Sequence, residues 1–217
     1  MSGAAPSRAP LDAAGFAAAS GVSRETLARL EAYRALLAEW SRRINLVAGS
    51  TLDDVWRRHF LDSAQLLPLV PRGAQSLIDL GSGAGFPGLV LAILGVAQVE
   101  LVEADARKCA FLREAARVAQ APVRIHNSRI ESLPPRPFDV VTARGCAPLD
   151  RLLVLAQPFV APGTRCLFPK GEQAGQELAA AQQHWKFDVT SQQSRSDPRG
   201  VILCLSGVAR REPGDGG

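Results

Sequence analysis

The stretch Asp79-Leu80-Gly81-Ser82-Gly83-Ala84-Gly85-Phe86-Pro87-Gly88 constrains the fold of this 217-residue chain more than any other. A short apolar run, 76–80, precedes it, and a segment with helical spacing, 88–94, follows it. Strand, glycine-rich turn and helix form the opening unit of an α/β fold in which a ligand comes close to the main chain. Gly83-x-Gly85-x-x-Gly88 also matches the dinucleotide fingerprint, with the acidic Glu103 on the next strand, 20 positions after Gly83.

The chain beyond the loop keeps the same rhythm. Apolar runs at 99–103, 123–126, 138–143 and 164–168 read as buried strands. Helical segments at 107–119, 149–157 and 172–183 lie between or after them. Such alternation predicts a parallel sheet covered on both faces. Two final strands, 186–190 and 201–206, are joined by a polar loop with no room for a crossover helix, so they must pair antiparallel. The expected fold class is therefore α/β, a class I Rossmann-like sheet of seven mostly parallel strands. It closes on a C-terminal antiparallel hairpin and carries an N-terminal helical extension.

The extension covers 21–72. Leu27, Leu30, Leu37 and Trp40 mark one helix over 23–43, with Ser23 as N-cap and Glu25 in its first turn. A second helix is expected from Thr51 or Asp53, and a third from Asp62 to about Val70. Residues 1–20, rich in Ala, Gly, Pro and Ser, read as a flexible leader. The Rossmann-like domain is assigned 73–209, and 210–217 a flexible tail.

Composition narrows the setting. The four cysteines, Cys109, Cys146, Cys166 and Cys204, are too widely spaced for a zinc or redox motif, so no metal is expected and the setting is reducing and cytoplasmic. No apolar run approaches the roughly 20 residues of a membrane span. The net charge of +4 is a mild excess, compatible with a polyanionic partner without demanding one. Nothing in the chain requires an oligomer.

Asp79 bears on the choice of cofactor. A carboxylate at the mouth of the loop would repel a pyrophosphate and favour the ammonium and sulfonium of S-adenosylmethionine. Glu103 would hold ribose hydroxyls with either cofactor. A nicotinamide enzyme and a glycine turn without a ligand remain the alternatives. In Asn127-Ser128-Arg129-Ile130-Glu131, Ile130 offers an apolar face to an adenine, and Glu131 is either a polar contact beside it or a solvated charge. Arg144 ends the fourth strand, where ligands bind in open α/β sheets, and can hold a phosphate or a target base. Arg57, Arg58 and His59 join basic and aromatic character in a way that can serve nucleic acid.

These motifs together resemble the RsmG family, first described as glucose-inhibited division protein B. The resemblance is carried by Arg58-His59-Phe60-Leu61-Asp62-Ser63, the Asp79–Gly88 loop, Arg107-Lys108 with Phe111-Leu112, Ser128-Arg129-Ile130-Glu131, Phe138-Asp139, Arg144 and Lys170-Gly171. It implies a bacterial methyltransferase that uses S-adenosylmethionine to modify guanine N7 in 16S ribosomal RNA, in the decoding region of the small subunit. It further implies that Gly81, Phe86, Ile130, Glu131 and Arg144 contact the cofactor, beside Asp79, Gly83, Gly85 and Glu103. Arg144 would carry the catalytic role, and Arg57, Arg58, His59 and Lys170 would contact RNA. The chain departs from the family at Gly145, where alanine is usual, and in the order Arg107-Lys108. Methylation of another RNA, a protein or a small molecule, and a noncatalytic RNA-binding module, are the other outcomes the motifs leave open.

Overall fold

The computed structural model describes residues 9–212. Two helices lead, α1 (Ala13–Ser20) and α2 (Arg24–Trp40). After irregular turns and a single helical turn, α3 (Asp62–Ala64), the sheet begins. It proceeds as β1 (Leu77–Leu80), α4 (Gly88–Ile93), β2 (Val99–Glu103), α5 (Ala106–Val118), β3 (Val123–Asn127) and β4 (Val140–Thr142). Then come α6 (Leu149–Ala156), β5 (Arg165–Lys170), α7 (Ala174–Ala181), β6 (Trp185–Gln193) and β7 (Val201–Arg210). The seven strands lie in the order β3-β2-β1-β4-β5-β7-β6. The first five are parallel, β7 runs antiparallel to β5, and β6 pairs antiparallel with β7.

Alternation along the strands divides the core between two faces. Leu77, Val99, Leu101, Val140 and Leu167 pack with α2, α4 and α5. Ile78, Leu80, Val102, Val141 and Phe168 pack with α6 and the buried Trp185. All four residues of β1 are buried, as expected for a central parallel strand covered on both sides. The pairing of β1 with β4 sets Asp79 opposite Thr142, and the order of the sheet reverses there. Ligands in open α/β sheets bind at such a reversal, beyond the carboxyl ends of the strands.

The structure departs from expectation over residues 9–20, read as part of a leader. Asp12 caps α1 by accepting from the Gly15 amide at 2.7 Å, and Gly21, at φ +70°, closes it. Phe16 is fully buried, its ring 5.2 Å from Trp56 and 6.4 Å from Phe60. One large apolar side chain among alanines leaves no periodic signal, yet it supplies the anchor. Residues 1–8 of that leader, and most of the expected tail, lie outside the described residues.

The second and third expected helices also differ. In their place are a 3-10 turn at Gly49–Thr51, a π-helical stretch at Trp56–Leu61 running into α3, and a 3-10 turn at Leu67–Leu69 that contains Pro68. Within the π stretch Trp56 and Phe60 enter the core, while Arg58 and His59, with Asp62 directly after it, line a cleft. π turns of this kind concentrate at functional sites. No helix among the described residues is long and apolar enough to cross a membrane.

Candidate active site

The glycine loop is bound to its surroundings through carboxylates. Glu103, at the end of β2, accepts the Gly83 amide at 3.0 Å and the Asp105 amide at 2.8 Å, one on each oxygen. Asp79 accepts the Gly88 amide at 3.2 Å and the Thr142 hydroxyl at 2.8 Å. Asp79 therefore does not stand at the mouth of the loop, as its position in the sequence suggested. It is fully buried beneath it, because β1 and β4 enclose it and Gly88 packs onto it. A Cβ at Gly88 would meet the Asp79 Cβ at 2.7 Å. Burial raises the Asp79 pKa to about 6, against the pull of the Thr142 hydroxyl, the Gly88 amide and the Arg144 charge.

This arrangement suits an adenosyl cofactor without phosphates. The amides of Gly83 and Gly88, which a pyrophosphate would need, already serve carboxylates. Each oxygen of Glu103 keeps a second lone pair for a ribose hydroxyl. Gly81 has φ +67°, and a Cβ there would meet the Cys146 Sγ at 2.9 Å, so the wall of the groove closes on main chain. Gly83, also at positive φ, is half-buried beside it, whereas Gly85 is buried, and a Cβ there would meet Leu89 Cβ and the Tyr33 hydroxyl at 2.9 Å, so it serves the packing under the loop and not the groove. Ile130 is half-buried at the start of a 3-10 turn and packs on the second core face. Glu131 is exposed and pairs with Arg151 at 2.9 Å, the solvated of the two roles it was given.

A cleft of about 680 Å³ adjoins the groove beyond the ends of β4 and β5. Three ion pairs line it: Arg144 with Asp62 at 3.1 Å, Arg58 with Asp197 at 3.1 Å, and Lys170 with Glu177 at 2.7 Å. Arg144 also donates to the Arg58 carbonyl at 3.0 Å and to the His59 Nδ1 at 2.8 Å, and its guanidinium carbon sits 5.1 Å over the Phe86 ring. Phe86 itself is buried, stacked on His59 at 4.9 Å and on Tyr33 at 5.4 Å. Its ring is part of the scaffold beneath the site.

Two residues expected to contact RNA are placed otherwise. Arg57 is buried and turned away from the cleft, donating to Asp54 at 3.0 Å and to the Ala9 carbonyl at 2.5 Å. Lys170 does line the cleft, but its side chain is 9% exposed and its ammonium is held by Glu177 and the Ala147 carbonyl. Arg58, 44% exposed, is the accessible cation of the three pairs. Other participants gave no signal of their own in sequence. Thr51, Ser196 and Asp197 lie in polar loops, and their partners are distant in the chain or set by an unforeseen turn. Asp62 stands within the Arg58-His59-Phe60-Leu61-Asp62-Ser63 motif, and only the fold shows it as the acceptor for Arg144, Ser196 and Gln65.

The family model GidB, rRNA small subunit methyltransferase G, matches residues 26–199. A ribosomal RNA small subunit methyltransferase G of Rhodospirillum centenum is 59% identical over 196 residues, covering 90% of this chain and 91% of that protein. That of Gluconobacter oxydans is 47% identical, covering 87% and 97%. Among solved structures, a TehB-like SAM-dependent methyltransferase of Corynebacterium glutamicum superposes with a TM-score of 0.56 at 16% identity, covering 81% of this chain and 98% of that one. An MtNAS variant in complex with S-adenosylmethionine gives 0.56 at 15% identity, covering 90% and 84%. At these identities the solved structures speak to the fold alone. The chain belongs to the rRNA small subunit methyltransferase G family.

Proposed function

We propose that this protein methylates N7 of a guanine in 16S ribosomal RNA, in the decoding region of the small subunit, in the cytoplasm. The observation that carries the reading is the state of the acids and bases around the cleft. His59 accepts from Arg144 on one ring nitrogen and meets Thr51 on the other, while burial and the charges of Arg144 and Arg58 push its pKa down to about 3. Asp62, Asp197 and Glu177 are each held in an ion pair. Among the described residues, every histidine and carboxylate lining the cleft is thus engaged by a partner. Guanine N7 has an in-plane lone pair and no proton to lose, so it is an acceptor for which no base is needed. It also presents O6 beside N7, an acceptor suited to an arginine donor.

S-adenosylmethionine supplies an electrophilic methyl group. The chain's own residues hold and align. The main chain of Gly81 and Gly83, with Glu103 and Ile130, forms the cofactor wall. Arg144 stands between that wall and the cleft. Alignment of this kind is worth about 7–11 kcal/mol at most. Arg58 meets RNA phosphate at the rim by exchanging Asp197 for it. The test is incubation with methyl-labelled S-adenosylmethionine and unmodified small ribosomal subunits, followed by digestion and nucleoside analysis. Label in 7-methylguanosine supports the reading. Label in another nucleoside retains the cofactor and overturns the target.

A further inference from the structure

Both ring nitrogens of His59 are engaged. A guanidinium can only donate, so Nδ1 accepts from Arg144 and the ring proton sits on Nε2. That N–H donates to the Thr51 Oγ1 at 2.8 Å, and the Thr51 hydroxyl donates onward to the Ala48 carbonyl at 2.6 Å. The chain of donors therefore has one direction, and it fixes the tautomer. Ring stacking on Phe86 fixes the plane. Of the five N–H groups of Arg144, three are committed, to the Arg58 carbonyl, Asp62 and His59. The other two have no partner among the described residues.

We propose that His59 is a positioning residue for methyl transfer: a neutral acceptor whose tautomer Thr51 sets, and which holds Arg144 with two N–H groups left for the substrate. This rests on the methyltransferase reading above. His59 acts through Arg144 and does not bind RNA itself. The positions of Thr51 in the 3-10 turn and His59 in the π stretch bring the acceptor to Arg144 across a separation of 85 residues.

The test compares His59→Leu, His59→Asn, Thr51→Val, Arg144→Ala and the double variant His59→Leu with Arg144→Ala. Turnover on unmodified small subunits and S-adenosylmethionine affinity are measured for each. His59→Leu is expected to lower kcat about 100-fold, because a misplacement near 1 Å costs about that much, with cofactor affinity changed less than about 3-fold. His59→Asn returns an acceptor near the Nδ1 position and should recover about 10-fold of the loss. Thr51→Val frees the tautomer and should lie between wild type and His59→Leu. The double variant should be no slower than Arg144→Ala alone, since the two residues act as one unit. Losses that multiply, or wild-type turnover in His59→Leu, overturn the proposal. If His59→Leu fails to fold, Thr51→Val decides, since it keeps the ring and removes only the group that sets its tautomer: wild-type turnover in Thr51→Val overturns the proposal. Failure of the wild-type protein to methylate guanine would instead overturn the reading beneath it.

Discussion

Asp62 and Ser196 are separated by 134 positions in the chain, and the Ser196 hydroxyl donates to the Asp62 carboxylate over 2.5 Å. The same carboxylate accepts from Arg144 at 3.1 Å and from Gln65 at 3.0 Å. Gln65 in turn accepts the Arg195 amide at 2.7 Å. The loop between β6 and β7 is thereby tied to the side chain that holds Arg144. Ser196→Ala is expected to cost about 1 kcal/mol of stability. It should speed amide exchange over residues 194–200 and raise KM for the ribosomal substrate, with cofactor affinity intact. Exchange at the wild-type rate would show that the loop is held by other means.

The three ion pairs of the cleft differ in how readily they yield to phosphate. Arg58→Ala should weaken RNA binding and reduce the slope of log affinity against log salt by about 1, the signature of one lost phosphate contact. Lys170→Ala should leave the slope near that of wild type, because the ammonium stays with Glu177 and the Ala147 carbonyl. The measurement is a salt titration of binding for both variants. Equal changes in slope would place Lys170 on the RNA as well.

Asp79→Ala separates a buried brace from a direct cofactor ligand. The variant leaves the Gly88 amide and the Thr142 hydroxyl without their acceptor, at about 1–3 kcal/mol each, partly offset by removal of a buried charge. Thermal unfolding should shift downward and cofactor affinity should fall together with it. An unchanged Tm with lost cofactor binding would return the carboxylate to the ligand's side of the loop.

His59 also predicts a pH dependence. In the folded protein its pKa is about 3, while in the unfolded chain it returns to about 6.5. Below pH 6.5 the unfolded state takes up a proton that the folded state refuses. The His59 contribution is therefore fully present above pH 6.5 and is lost as pH falls toward 3, by at most about 1.4 kcal/mol per pH unit. The stability of wild type relative to His59→Asn should fall as pH is lowered from 7 to 4. Denaturant titrations across that range check it, and a pH-independent difference would mean the ring is not kept neutral.

Much of the sheet was legible because buried parallel strands are continuous apolar runs and the glycine loop has a fixed place after the first. The antiparallel hairpin followed from the lack of a crossover helix. The burial of Asp79 was not legible, since its depth depends on β4 pairing beside β1. Arg57 and Lys170 show the same limit. A sequence displays a charge but not the carboxylate or carbonyl that already holds it. The π stretch at Trp56–Leu61 is indistinguishable in sequence from ordinary helix, because a change of less than one residue per turn is invisible in so short a pattern.

The N-terminal segment is bonded to two of the chain segments that line the cleft. Arg57 donates to the Ala9 carbonyl, the Leu11 amide donates to Asp54 at 2.8 Å, and Arg195 donates to the Ala19 carbonyl at 2.7 Å. Arg58 and His59 from the π stretch and Ser196 and Asp197 from the β6–β7 loop all line the cleft, so residues 9–19 touch chain neighbours of both segments. Both segments are thus tied down when the chain folds, and an arriving RNA need not supply the ordering entropy that loose loops would demand.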